Sequence, residues 1–105
     1  MPAYQGERMP SMTTIIESEH APRYLQTLCR HFGRKVEASW DEQTGRVHFP
    51  AGVCDMQVQG TQLRVTCHAD DEANLTLVTE TVSSHIKMFA RREALPHQWQ
   101  CVADA

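Results

Sequence analysis

The sequence predicts an α+β fold: strand, helix, four-stranded antiparallel meander, helix, with both helices covering one face of the sheet. Three observations lead there. Two segments repeat apolar residues at helical spacing, and the stretch between them alternates apolar with polar residues. Short turn signals then cut that stretch into strands of matched length.

Residues 1–12 hold prolines, a glycine and methionines without periodicity, so they are expected to form a flexible leader, with Met9 or Met12 an alternative start. Thr13 to Glu17, TTIIE, is short, apolar and β-branched, which suits a strand. In the helical segment that follows, Pro22 fits the first turn and Gly33 fits a left-handed position just past the end. Tyr24, Leu25, Leu28 and Phe32 fall on one face between them. The second helix opens after Asp70 and Asp71, and Leu75, Val78, Val82, Ile86 and Phe89 form its apolar stripe. Lys87, Arg91 and Arg92 place cations at the negative end of its dipole.

The meander is read by testing which pairings put apolar residues on one face. A two-residue Gly60-Thr61 turn, glycine first as in type II′, pairs Val58 with Leu63, Met56 with Val65 and Cys54 with Cys67. Asp55, Gln57, Gln59, Gln62, Arg64 and Thr66 then share the other face. Upstream, an EQTG loop pairs Trp40 with Val47 and Ala38 with Phe49, and a PAGV loop pairs Phe49 with Cys54 and Val47 with Met56. A sheet with one dry face needs a cover, which the two helices supply. Alternation of Leu95, His97, Trp99 and Cys101 suggests a last strand, confined to an edge by Pro96. Residues 13–102 are expected to form a single domain, with 103–105 a tail.

A chain of 105 residues, 41% apolar, suffices for one core. Its net charge of -3 gives no long-range attraction to phosphate backbones or anionic lipid, so neither nucleic acid nor membrane is an expected partner. No apolar run approaches the roughly 18 residues of a membrane span, and the N-terminus lacks the apolar core of a signal peptide. The expected compartment is the cytoplasm, where the four cysteines would be thiols.

Three stretches, RYLQTLCRHFGRKVEASWDE, GRVHFPAGVC and HIKMFARREAL, carry the spacings RYL-x-x-LC-x-HF, FP-x-G-x-C and FA-x-RE. They resemble the pattern of a bacterial family of unknown function, DUF2218, over nearly all of residues 20 to 100. The resemblance implies a small stand-alone bacterial domain, sometimes encoded near iron-siderophore uptake genes. It implies no activity, so no catalytic residue is carried over. The leader and the final Cys-Val-Ala-Asp-Ala fall outside the pattern. The strand order also resembles a TATA-binding-protein-like or helix-grip sheet. DNA binders of that shape present a basic open face with apolar wedges, whereas Glu37, Asp41, Asp55 and three glutamines are expected here.

Candidate sites follow from the registers. Cys54 and Cys67 face each other toward the helices with Cys29 near the edge of the covering face, so a three-thiolate ligand or metal site is conceivable. Filling of the core by buried thiols is the commoner use of such residues. A Cys54–Cys67 cross-strand disulfide has the right spacing but the wrong compartment. His68 points to the opposite face from these thiols. The registers also put Ser39 opposite His48 and His48 opposite Asp55, a Ser, His, Asp row on the polar face. An open sheet face offers no evident oxyanion hole or shelter from water, and such a row is ordinarily a ladder of polar pairs. Asp70, Asp71 and Glu72 are read as helix capping, and Arg30, Arg34 and Lys35 as a dipole-matched helix end.

No coherent catalytic set emerges and no cofactor is implied. The leading expectation is a non-enzymatic binding or accessory domain for a small ligand between helices and sheet, or for a protein partner on the open face. The alternative is a cysteine-based metal-handling or redox protein using Cys29, Cys54 and Cys67. A hydrolase using Ser39, His48 and Asp55 ranks last. A homodimer through the polar face or an edge strand is compatible with all three.

Overall fold

Period-two and period-3.6 patterning generate the expected elements in the computed structural model, which describes residues 10–89 and 99–101. Along the chain these are β1 (Ser11–Glu17), α1 (Ala21–Phe32), β2 (Glu37–Trp40), β3 (Thr44–Phe49), β4 (Gly52–Gln59), β5 (Gln62–Ala69), α2 (Glu72–Phe89) and β6 (Gln100–Cys101). All six strands join one antiparallel sheet in the order β2-β3-β4-β5-β1-β6.

Both helices lie on one face of it. Leu25, Leu28, Cys29 and Phe32 of α1 and Leu75, Val78, Val82 and Ile86 of α2 are buried against Ile16, Val47, Cys54, Met56, Leu63, Val65 and Cys67 of the strands. Burying a Leu, Ile or Val side chain contributes about 1.5–3 kcal/mol each, so this layer is the main source of stability. Pro22 lies in the first turn of α1. Asp71 Oδ1 accepts the Asn74 N–H at 2.8 Å, satisfying an otherwise orphaned amide at the start of α2. Trp99 Nε1–H donates to Ser83 Oγ at 2.7 Å and ties the approach to β6 onto α2. No helix among the described residues is long and apolar enough to cross a membrane.

The β4–β5 register is the expected one, Val58 to Leu63, Met56 to Val65 and Cys54 to Cys67, with Gly60 at φ 60° in the turn. Four expectations need correction. The strands β2–β3 and β3–β4 are each shifted by two residues: Ala38 pairs with Val47 and Trp40 with Gly45, while Val47 pairs with Cys54 and Phe49 with Gly52. A shift of two preserves which face each side chain occupies, so alternation cannot detect it. The first shift comes from a tighter turn, in which Asp41 Oδ1 accepts the N–H groups of Gln43 and Thr44, both at 2.8 Å. The second comes from glycines at inward positions. A β-carbon at Gly52 would lie 2.2 Å from the His68 carbonyl oxygen, which marks a close backbone approach rather than a loop.

Gly33, expected to be left-handed, has φ −64° and keeps the right-handed turn, its N–H donating to the Cys29 carbonyl at 2.8 Å while the Arg34 N–H donates to that of His31 at 3.2 Å. The first strand begins at Ser11, so Ser11 and Met12, expected to precede it, belong to β1, and the Pro10 carbonyl accepts the Ala69 N–H at 3.2 Å. Residues 1–9, the expected tail, and Arg91, Arg92, Leu95, Pro96 and His97 lie outside the described residues.

Candidate functional site

Strand alternation sends one side chain in two to the uncovered face, and the registers sort these into rows. One row runs Ser39, Arg46, Asp55, Thr66, Thr13 across β2, β3, β4, β5 and β1. The next runs Glu37, His48, Val53, His68, Ser11. His48 is therefore not opposite Ser39 or Asp55, and the Ser39, His48, Asp55 row is not assembled. Arg46 takes the place expected for His48.

Arg46 Nε donates to Asp55 Oδ1 at 2.6 Å and its Nη2 to Oδ2 at 3.2 Å, a bidentate pair. On the other side His68 Nε2 lies 3.4 Å from Asp55 Oδ2, and His68 Nδ1 is 2.7 Å from Ser11 Oγ. With Nε2–H directed at Asp55, Nδ1 accepts from the Ser11 hydroxyl. Ser11, His68, Asp55 and Arg46 thus form a chain of polar contacts across four strands. It contains a serine, a histidine and a carboxylate, but Arg46 holds both carboxylate oxygens, and all three residues sit on a sheet face open to water. Electrostatic stabilisation of an acyl-transfer intermediate needs a preorganised, sheltered donor pair, which this face does not supply.

What the face does supply is concavity. A depression of about 410 Å³ is lined by Ser39, Trp40, Asp41, Thr44, Gly45, Arg46 and Asp55. A second, of about 220 Å³, is lined by Thr44, Gly45, Asp55, Met56, Gln57, Arg64 and Thr66. Asp55 borders both. Two carboxylates, Asp41 and Asp55, stand against one guanidinium in the first, and the hydrogen bonds from Gln43 and Thr44 hold Asp41 below the usual carboxylate range. Trp40, whose side chain stands on the helix-covered face opposite Gly45, also borders the first depression at the β2 edge.

The cysteines behave as core. Cys29, Cys54 and Cys67 are buried free thiols, Cys29 deeper than the edge position expected of it. The Cys54 thiol is pushed well above its ordinary range by its hydrogen bond with Cys67 and by burial, and burial pushes Cys29 up to about 11. Among the described residues no three His, Cys, Asp or Glu side chains stand where one metal ion could be held, so the three thiols do not assemble a ligand set.

A separate aromatic cluster closes the gap between the helices. The rings of His31 and His85 are 4.9 Å apart, with Phe32 4.7 Å from His85 and Phe89 5.2 Å from His31. His85 Nδ1–H donates to the Thr81 carbonyl at 2.7 Å.

Sequence reasoning missed Ser11, Arg46 and His68 as members of the open-face site. The signal for His68 was available, since the correctly read β4–β5 register already put it on the face of Asp55, one row away.

Comparison with known proteins bears on this geometry. A family model described as uncharacterized protein conserved in bacteria, DUF2218, matches residues 13–100. The chain belongs to this family. The DUF2218 domain is also similar to a solved structure, the NMR structure of PA4090 from Pseudomonas aeruginosa. That match has a TM-score of 0.74 and 27% sequence identity, and covers 88% of this chain and 96% of that one. No curated protein matches it.

Proposed function

We propose that this DUF2218 domain is a non-enzymatic binding or accessory domain whose receiving surface is the open sheet face around Asp55. The observation that carries the reading is that two depressions share Asp55, the carboxylate of the Arg46–Asp55 ion pair. An ion pair lining a concavity offers both a donor and an acceptor at fixed spacing. The matching ligand is small and polar and carries acceptor and donor groups side by side. The packed side chains between helices and sheet favour this face over the interlayer position.

The cysteine-based alternative has less support, because all three thiols are buried and the Cys29 and Cys54 thiols are pushed up, by burial at Cys29 and by the hydrogen bond with Cys67 and burial at Cys54, whereas thiolate is the reactive form.

Amide-resonance mapping by NMR tests the proposal. Hydroxamate and catecholate fragments are the first probes, since they carry paired oxygen acceptors and donors and suit the siderophore-gene association that the family resemblance implies. Shifts should cluster on Ser39, Thr44, Arg46 and Asp55 and vanish in Arg46→Met. Shifts clustering on Leu28, Val82 or Cys67 would move the site beneath the helices and overturn it, as would clustered shifts that persist in Arg46→Met.

A further inference from the structure

We propose that two copies of this chain pair through their β2 edges, about a two-fold axis at Ala38, to make one continuous sheet. The inference rests on the edge itself and not on the ligand reading above.

β2 is the terminal strand of the sheet order, so one side of its backbone has no strand partner among the described residues. Which groups it leaves free follows from one hydrogen bond. Asp41 N–H donates to Thr44 C=O at 2.8 Å. Antiparallel pairs alternate between hydrogen-bonded and non-bonded, so with Trp40 opposite Gly45, Ser39 opposite Arg46 and Ala38 opposite Val47, it is Ser39 and Glu37 that bond to β3. Ala38 and Trp40 direct their N–H and C=O groups outward. Val36 directs its C=O outward too, while its N–H donates to Phe32 C=O at 3.0 Å.

These groups fit a second copy. With Ala38 opposite the partner's Ala38, each Ala38 N–H reaches the partner's Ala38 C=O, and each Trp40 N–H reaches the partner's Val36 C=O. The side chains agree with that register. On the helix-covered face Trp40, 39% exposed, falls opposite the partner's half-buried Val36. On the open face Lys35 falls opposite the partner's Asp41, two exposed residues of opposite charge. A neighbouring two-fold register, centred on Ser39, also satisfies outward backbone groups of Ala38 and Trp40. It sets Glu37 against the partner's Asp41, two carboxylates facing each other, so charge selects the Ala38 axis.

Pairing would also alter the depression. Ser39, Trp40 and Asp41 of its lining come from β2 and the turn after it, so the partner's Lys35 would enter its rim beside Asp41.

Sedimentation of the full chain across a concentration series, with amide exchange, is the test. The wild-type chain should dimerise, with Ala38 and Trp40 amides gaining protection on association, while those of Glu37 and Ser39 are protected already. Lys35→Glu, an exposed change, should weaken the dimer by roughly tenfold, since attraction becomes repulsion at two symmetry-related places. Ala38→Pro removes an outward N–H that β3 does not use, and should give a folded monomer. A wild-type chain that stays monomeric to about millimolar concentration, the range where weak association with Kd near 1 mM would show, overturns the proposal. So does a dimer that both variants leave intact.

Discussion

A β-carbon added at Gly45 would stand 2.6 Å from the Sγ of Cys29, with Trp40 Cβ at 3.3 Å on its other side. Strand β3 and helix α1 therefore approach each other through a missing side chain, and the thiol occupies the space. Gly45→Ala should destabilise the fold by about 1–3 kcal/mol, the usual cost of overpacking. Adding Cys29→Ala should recover part of that loss, because the two changes share one space. Chemical denaturation of the two single variants and the double variant measures the coupling; strict additivity would refute the shared-space account.

Thr14 is 2% exposed on β1, and its hydroxyl has no hydrogen-bond partner among the described residues. Thr14→Val replaces that hydroxyl with a methyl of similar shape and should stabilise the domain by about 1 kcal/mol, the lower part of the cost of an unsatisfied buried polar group. A loss of stability on denaturation would mean that a bound water serves the hydroxyl.

Thiol reactivity should divide sharply. Cys101 is exposed, whereas Cys29 and Cys54 are buried and hold their protons above the ordinary range. At pH 8 a disulfide reagent should label Cys101 promptly and reach Cys29, Cys54 and Cys67 only after denaturant is added. Prompt labelling of Cys54 in the native protein would revive a redox role.

His31 has its pKa lowered by burial first, then by His85, Arg34 and Lys35. A lowered folded pKa means the unfolded chain takes the proton first as pH falls. The stability contributed by neutral His31 is thus fully present above its ordinary value of 6.5 and is lost as pH falls through the folded value. Melting at pH 7.5 and 5.5 should show a smaller acid loss for His31→Gln than for wild type. Equal losses would assign the acid sensitivity elsewhere.

Arg46 and Asp55 form a well-aligned but solvent-facing pair, 57% and 31% exposed in their side chains. Arg46→Met should therefore cost less than about 1 kcal/mol of stability, so a loss of ligand shifts in that variant reports on binding and not on unfolding. A cost of several kcal/mol would show the pair to be structural.

Much of the architecture was legible because it depends on periodicity. The stripe from Leu75 to Ile86 and the face shared by Cys54, Met56, Leu63 and Val65 follow from spacing alone, and each is buried. The β2–β3 and β3–β4 registers were not legible for a related reason. Gly45 and Gly52 occupy inward positions without an apolar side chain to declare them, so the apolar pattern fits a register two residues away equally well. That slip alone put His48 where Arg46 stands. Ser11 escaped notice because prolines and a glycine nearby disguised the start of β1. Depressions on the open face depend on sheet twist and turn shape, which no residue pattern encodes.

The position of β1 between β5 and β6 has a consequence for how the chain acquires its shape. Ser11 meets His68 across 57 residues, whereas β4 and β5 meet through a two-residue turn. Local hairpins close in microseconds, but a strand with so distant a partner must wait until that partner exists. During synthesis, β1 leaves the ribosome first and stays unpaired until β5 emerges. Its exposed Ile15 and buried Ile16 then lie on an open edge, available to other nascent chains. Aggregation during expression should accordingly track the speed of β5 docking more than the final stability of the domain.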